Sequence, residues 1–163
     1  NELGTMHDLF LIINFLLAAI CAGIVGVLGM NLLMWLVTRL GLTNADMVRA
    51  IGSVFTKSNE SAMVVGVLLH TVSGVVFAML YMIGFGLLGI HTGLLYCLMG
   101  VVFGGAHGFV MSFILVSTVA QHHPMEEFRE AGPSVAAAHF AGHIVYGLLV
   151  GLVVAMSGLR LAG

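Results

Sequence analysis

Charged side chains are scarce in this sequence, which has five Lys or Arg and seven Asp or Glu among its 163 residues. Soluble globular domains carry about 25% charged residues. This chain carries 7%, and it is 60% hydrophobic with a mean hydropathy of +1.14. So few polar side chains cannot cover a water-soluble fold. The composition therefore predicts one integral membrane domain over residues 1–163, surrounded by the lipid bilayer.

Clusters of basic residues are lacking too, and the formal net charge is only −2, so nucleic acid is not an expected partner.

Cysteine is nearly lacking. Cys21 and Cys97 both stand in apolar runs, where thiols pack as small hydrophobic groups, and they indicate no disulfide framework. The sequence has no Gly-Lys-Ser phosphate loop, dinucleotide glycine fingerprint, Cys-x-x-Cys pair or His-Glu-x-x-His motif. We therefore predict no catalytic residue and expect a protein that is not an enzyme.

Long uncharged stretches predict four transmembrane helices, at about residues 9–37, 61–88, 94–120 and 134–157. The first would be about 45 Å long at ~1.5 Å per residue, against a hydrocarbon core of ~30 Å. Gly89-Ile90-His91-Thr92-Gly93 is the expected turn between the second and third spans. Because the N-terminal segment is acidic and its apolar run is longer than a signal-peptide core, we expect the first span to be retained as an anchor.

Short interfacial helices are expected in the two charged segments. Met47, Ile51 and Phe55 recur at helical spacing after Asn44, which is the predicted N-cap. In the segment after span three, Pro124 suits the first position of a helix. A second proline, Pro133, is expected to begin span four.

Lys and Arg stand mainly in the loops after the first and third spans. Those loops hold Arg39, Arg49, Lys57 and Arg129, whereas Arg160 alone stands on the opposite side. Cytoplasmic loops carry an excess of Lys and Arg. We therefore expect both loops in the cytoplasm and both termini outside, in a bacterial inner membrane.

An internal repeat is indicated when the chain is slid along itself. At an offset of about 77 residues, Met30 meets His107. At about 69, His70 meets His139, and Gly74 meets His143. We interpret residues 9–90 and 91–160 as two copies of span, interfacial helix and span. Copies with two spans each have the same orientation. The predicted fold is thus an all-α, pseudo-twofold four-helix bundle.

Four histidines carry the chemistry of the sequence. The predicted topology places His70, His107, His139 and His143 in the same half of the bundle, with Met30 beside them. The last two stand four residues apart, on one face of a helix. Because ionisable residues within spans are rare, such a cluster indicates a functional site.

Three interpretations of this cluster stay open. Haem b would use His70 with His139, or Met30 with His107, and glycines would admit the macrocycle. The second interpretation is a copper, iron or zinc site, which would gather the four histidines with Met30, Met34 and Met111, joined at the interface by His122, His123, Glu126 and Glu127. In the third, the histidines only hydrogen-bond neighbouring helices, at ~1 kcal/mol each, and the methionines only pack.

Small residues indicate close helix packing. Gly100, Gly104 and Gly108 form a small-xxx-small ridge in span three, and Ala18, Ala22 and Gly26 form one in span one. Such ridges bring helix backbones together, although they can also leave room for a flat cofactor. We expect these faces to favour a homo-oligomer or a larger membrane complex.

Several short segments resemble a family of small bacterial membrane proteins with four transmembrane helices. The segments are Arg39-Leu40-Gly41-Leu42, Gly66-Val67-Leu68-Leu69-His70, Ala78-Met79-Leu80-Tyr81 and Val145-Tyr146-Gly147 following His139. The resemblance covers most of the chain. It implies the four-span topology and no particular chemistry.

Three hypotheses about function follow. The first is a non-catalytic accessory or electron-transfer subunit of a membrane oxidoreductase, with haem b or a metal at the cluster. The second is a small metal-ion or solute transporter, with a path along the repeat axis past Met30, His107 and His139. The third is a purely structural assembly subunit.

Overall fold

The computed structural model of the protein describes residues 2–159 and residue 161. In this part of the chain the structure is all-α and has no β-strand. The α-helices are α1 (Glu2–Arg39), α2 (Met47–Thr56), α3 (Asn59–Leu87), α4 (Gly93–Ile114) and α5 (Pro133–Ser157). A π-helical segment, Leu115–Val119, continues α4, and a 3₁₀ turn spans Glu126–Phe128.

Four of the helices are long and apolar enough to cross a membrane: α1, α3, α4 with its π-helical continuation, and α5. The bounds of α3 to α5 lie close to the predicted spans 61–88, 94–120 and 134–157. α1 is longer than the predicted 9–37, since its 38 residues extend over about 57 Å. The acidic Asp8 does not end it: the helix continues through this residue, whose side chain is exposed.

The turn between α3 and α4 lies where it was predicted. Gly89, at φ +65°, leaves the helical conformation in the left-handed region that glycine adopts without strain. Three residues later, the Thr92 hydroxyl accepts a hydrogen bond from the Leu95 N–H at 3.4 Å and caps α4. The uncharged stretch between Glu60 and Glu126 therefore folds into two helices, α3 and α4.

The short helix α2 forms as predicted, but its N-cap is Asp46 and not Asn44. The Asp46 carboxylate accepts a hydrogen bond from the Arg49 N–H at 3.1 Å. The Asn44 side chain instead accepts one from the Asp46 N–H at 3.3 Å, one step earlier in the turn. Both side chains act on neighbouring backbone, as short polar residues before a helix do.

The apolar residues whose spacing predicted α2, Met47, Ile51 and Phe55, are not equally buried. Met47 is buried, but Ile51 is half-buried and Phe55 is 67% exposed. α2 packs on α3 through its small residues: a Cβ on Gly52 would run into the backbone of α3, and one on Gly66 into the backbone of α2. Such close approach selects the glycine side of the helix and turns the larger side chains outward.

The loop before α5 is held by a buried aromatic ring and not by a proline-started helix. Pro124 lies in a bend, and the following 3₁₀ turn begins at Glu126, so the predicted role of Pro124 is wrong. Phe128 is buried in an apolar cluster with residues of α2 and α5. The Arg129 Nε donates to the His123 carbonyl at 2.8 Å and closes the turn. Pro133 begins α5 as expected.

Backbones meet most closely between α4 and α5. A Cβ on Gly100 would run into the Gly147 carbonyl, and one on Gly147 into the Gly100 carbonyl. Gly104 stands equally close to the His143 carbonyl. The glycine ridge thus brings helices together, as predicted. The room it leaves is taken by the backbone of α5, so this ridge does not admit a macrocycle.

The remaining helices are arranged unevenly around this pair. α1 packs against both α3 and α5, whereas α3 and α4 approach each other mainly through aromatic rings. One apolar cluster fills the end near the 88–92 turn, around Met82, Phe85 and Val150. A second lies beneath α2, around Met34 and Met47. The four histidines lie along the helices between these two clusters.

Candidate functional site

The four predicted histidines line one cavity of about 130 Å³. Each helix of the bundle contributes to its wall, and α2 adds Ile51 at one end. The cavity is lined by Val27, Met30, Ile51, His70, Ser73, Gly74, Phe77, His107, Met111, His139, His143 and Tyr146. The predicted convergence of His70, His107, His139 and His143 with Met30 is therefore present in the structure.

His143 is the centre of the cluster. Its ring centroid lies 4.5 Å from those of His107 and His139, edge to face in both pairs. Its Nδ1 lies 2.9 Å from the His139 carbonyl oxygen, which can only accept, so Nδ1 carries the proton and donates. In the neutral ring, Nε2 then keeps its lone pair. The i, i+4 spacing of the two histidines thus fixes one tautomer.

His107 is held between two aromatic rings of α3. Phe77 stacks on it with centroids 3.9 Å apart, and the Tyr81 hydroxyl lies 3.2 Å from its Nδ1. Its Nε2 is buried without a hydrogen-bond partner. The ring is therefore fixed in position while one of its two nitrogens stays free.

Unpartnered ring nitrogens are the unusual property of this cavity. Within residues 2–159, His70 Nδ1, His107 Nε2 and His139 Nδ1 are buried and have no hydrogen-bond partner. A buried polar atom left unsatisfied costs about 1–3 kcal/mol. A polar cavity larger than about 15 Å³ can hold water. The arrangement thus suits water or a small ligand that bonds to imidazole nitrogen.

Tyr146 and Tyr81 separate the cavity from the apolar end of the bundle. The Tyr146 hydroxyl donates to the Gly74 carbonyl at 2.5 Å, and its ring meets that of Tyr81 edge to face with centroids 5.7 Å apart. The space beside Gly74 is filled by the Val27 side chain. Neither tyrosine was among the predicted site residues. His143 and Tyr146 stand three residues apart, a spacing that places both on one face of α5.

The predicted methionines divide into two groups. Met30 is 1% exposed and lines the histidine cavity together with Met111. Met34 does not line it. Its side chain lies against Gly142 and belongs to the apolar cluster beneath α2. Met34 stands one helical turn after Met30 on α1, and this distance places it outside the cavity.

The interfacial set His122, His123, Glu126 and Glu127 does not come together as a metal site. The exposed His122 donates its Nδ1–H to the Thr118 carbonyl at 2.9 Å. His123 is buried, its Nε2–H donates to the Ala50 carbonyl at 3.0 Å, and its Nδ1 accepts from the Met125 N–H at 3.0 Å. Adjacent residues in a turn point apart. His123 therefore joins the loop to α2 and has no free nitrogen.

A larger pocket of about 640 Å³ adjoins the cavity on the loop side. It lies between α2, the π-helical segment and the loop before α5. Three residues, Ile51, Met111 and His139, line both spaces. Asn44, Glu127 and Glu130 line the pocket and are exposed. The histidine cluster is thus separated from the loop side only by this shared wall.

Neither haem b nor a metal held by histidines alone fits the cavity in this arrangement. Drug-sized ligands need pockets of about 300–1,000 Å³, and a haem is larger than a drug, whereas this cavity measures about 130 Å³. Among the residues that the structure describes, no three His, Cys, Asp or Glu side chains are grouped so that they could hold one metal ion. A ligand set must therefore include other donors, of which the cavity offers thioether sulfur.

No protein-family model, no curated protein and no solved structure matches this chain. The fold itself defines the class: an all-α protein with four helices that could cross a membrane, and a cluster of histidines around one cavity among them. Its function is therefore argued from the site.

Proposed function

We propose that this protein is a small multi-pass membrane protein that admits a small solute or cation from its loop side and binds it at the histidine cluster, as a transporter does. The observation that carries the proposal is the set of three buried, unpartnered ring nitrogens around one cavity. Ionisable groups in membrane spans are expensive and by default functional. Simple helix-to-helix hydrogen bonding would have given these nitrogens partners.

The position of the larger pocket supports access from one side. Its exposed rim lies at the loops, and its inner wall is the outer wall of the histidine cavity. In the other direction Tyr81, Tyr146 and Phe85 are buried and pack together. The bundle is therefore closed at the end near the 88–92 turn, and a solute would occupy a site that opens to one side at a time.

The predicted repeat would arrange the site around a pseudo-twofold axis. Two parallel copies, 9–90 and 91–160, would place Met30 opposite His107 and His70 opposite His139 around one axis along the membrane normal. Small movements of one copy against the other would then expose the cavity alternately. α1 packs on α5 much more extensively than α3 packs on α4, so the packing is not twofold symmetric and the repeat stays a prediction.

The charges support an orientation in a bacterial inner membrane. Arg39, Arg49, Lys57 and Arg129 all stand near the loop side of the bundle. By the positive-inside rule this side faces the cytoplasm. Arg160, the single basic residue predicted on the other side, lies outside the described residues.

Flux through purified protein in proteoliposomes tests the proposal. A panel of protons, ammonium and monovalent and divalent metal cations is offered, and we expect flux of at least one species above that of protein-free vesicles. His143→Ala and His107→Ala are expected to lower this flux about tenfold or more, because they remove rings that line the proposed binding site. His122→Ala is the matched control, since that ring is exposed and bonds only to Thr118. Flux of no species, or equal flux in all variants, would contradict a transport role.

The accessory-subunit hypothesis stays a prediction. Its haem version is not favoured, because the cavity is smaller than a macrocycle needs. Association with itself or with a larger complex through lipid-facing surfaces is independent of the cavity. Purification in a mild detergent with identification of bound chains addresses it directly.

A further inference from the structure

Two thioether sulfurs accompany the imidazoles in the histidine cavity. Met30 is buried against Gly142, the residue before His143, and Met111 stands in the wall shared with the larger pocket. The described lining of the cavity contains no carboxylate. Thioether ligands select copper(I), whereas carboxylate and carbonyl oxygens suit magnesium, calcium or manganese. The cavity thus offers soft ligand atoms, which favour a soft metal ion such as copper(I).

His143 is already arranged as metal-binding histidines are. Such a ring almost always donates its second N–H to a carbonyl, carboxylate or water, which fixes the tautomer and directs the lone pair to the metal. The His143 Nδ1–H donates to the His139 carbonyl at 2.9 Å, and this leaves Nε2 as the free donor atom. No other predicted ligand in the cavity has its tautomer fixed by the backbone in this way among the described hydrogen bonds.

The charge of the cavity also narrows the choice of ion. With neutral imidazoles, thioethers and a tyrosine, the lining carries no negative charge to compensate a cation. Removing an ion from water is expensive and the cost rises with its charge. A monovalent ion therefore fits this site better than a divalent one. Copper(I) is monovalent, soft, and satisfied by few ligands.

The larger pocket supplies a path for such an ion. Its lining includes the carboxylates of Glu127 and Glu130 and neither lysine nor arginine. Carboxylates at the rim of a low-dielectric cleft raise the local concentration of cations. Farther in, the shared wall offers Met111 and His139. A cation would pass from hard oxygen atoms to soft donors as it leaves water.

We propose that the ion held in the cavity is copper(I), bound by His143 Nε2 together with the thioethers of Met30 and Met111. This inference rests on the proposed function, because it names the substrate of the same site. The ion enters and leaves as copper(I), so no electron is transferred. His70, His107 and His139 line the same cavity but are not part of this ligand set.

Competition with the copper(I) chelator bicinchoninate tests the proposal. The detergent-solubilised protein is titrated anaerobically under reducing conditions, in a Cys21→Ser, Cys97→Ser background that removes both thiols. We expect one copper(I) per chain. Met30→Leu, which preserves volume and apolarity, is expected to weaken binding about tenfold or more. His143→Ala is expected to do the same.

Met34→Leu is the matched control, because Met34 lies one turn along the same helix, is equally buried and does not line the cavity. X-ray absorption at the copper edge gives a second readout: sulfur scattering should weaken in Met30→Leu and stay unchanged in Met34→Leu. If no copper(I) binds, or if Met34→Leu weakens binding as much as Met30→Leu, the proposal is wrong.

The outcomes separate this inference from the proposed function. Flux of another ion without copper(I) binding would retain a transporter and overturn copper(I) as its substrate. Copper(I) binding that depends on Met30 and His143, without flux of any species, would retain the site and overturn transport. Absence of both would overturn the two together.

Discussion

At the scale of single residues, the surroundings of two buried hydroxyls differ sharply. Tyr146 donates its hydroxyl proton to the Gly74 carbonyl at 2.5 Å, across the diagonal from α5 to α3. The hydroxyl of Tyr96 is buried without a hydrogen-bond partner among the described residues. The two tyrosines are about equally buried, so they form a natural pair for comparison.

Removing each hydroxyl should therefore have opposite effects. Tyr146→Phe is expected to lower the free energy of unfolding by about 1 kcal/mol, because a net intramolecular hydrogen bond is lost. Tyr96→Phe is expected to be neutral or stabilising, since it removes an unsatisfied buried group. Thermal unfolding of the two variants in the same detergent measures both. Equal destabilisation by the two changes would mean that ring packing, and not the Gly74 bond, holds Tyr146.

The site residues that sequence analysis found, and those it missed, follow from one physical distinction. Histidine is rare in apolar spans, so His70, His107, His139 and His143 stand out from composition alone. Tyrosine and phenylalanine are ordinary there. The contacts of Phe77 and Tyr81 with His107 depend on how α3 faces α4, which a single sequence does not reveal. Met34 was included for the same reason, because its rotation away from the cavity depends on packing.

At the scale of helices, the contact between α4 and α5 shows how glycine acts in an apolar bundle. With no hydrophobic driving force between helices in lipid, association depends on close van der Waals packing and therefore on small residues. Gly100 and Gly147 meet backbone to backbone, and neither leaves space for a methyl group. Gly105, on the same helix as Gly100, meets no neighbouring atom within 4 Å of where its Cβ would be.

Alanine at these two positions should separate packing from helix propensity. Gly100→Ala is expected to destabilise the protein by about 1–3 kcal/mol, because the added methyl forces α4 away from α5. Gly105→Ala is expected to be neutral or to stabilise by up to about 1 kcal/mol, since alanine favours helix and meets no obstacle. The free energy of unfolding in mixed micelles is the measurement. Similar losses in both variants would show that α4 tolerates no change regardless of contact.

Most helix positions could be predicted, and the details of their ends could not. Uncharged runs located α3, α4 and α5 to within a few residues, because the length of an apolar run is set by the bilayer. The N-cap of α2 was misplaced by two residues, from Asn44 to Asp46, because both are good caps and only backbone geometry selects one. The buried side of α2 could not be predicted from the sequence, because Gly52 and Gly66, which bring it onto α3, carry no hydrophobic signal.

At the scale of the whole molecule, the loop side and the opposite end of the bundle differ in kind. The loop side has a pocket of about 640 Å³ with exposed carboxylates at its rim. The opposite end is filled by large buried side chains, among them Met82 and Phe85. We expect one direction in a membrane: the loop side faces the cytoplasm, because four basic residues stand near it.

Labelling of single cysteines by a membrane-impermeant maleimide would test this direction. In a Cys21→Ser, Cys97→Ser background, Lys57→Cys on the loop side should react only in inside-out vesicles, and His91→Cys in the opposite turn only in intact cells. Met111→Cys, in the wall shared by pocket and cavity, should react from the same side as Lys57→Cys but more slowly, because a reagent must first enter the pocket. The fully buried Met82→Cys should not react from either side.

Reaction of Met111→Cys from the same side as His91→Cys would contradict one-sided access. If Lys57→Cys and Met111→Cys both reacted in intact cells and His91→Cys in inside-out vesicles, only the predicted orientation would be reversed.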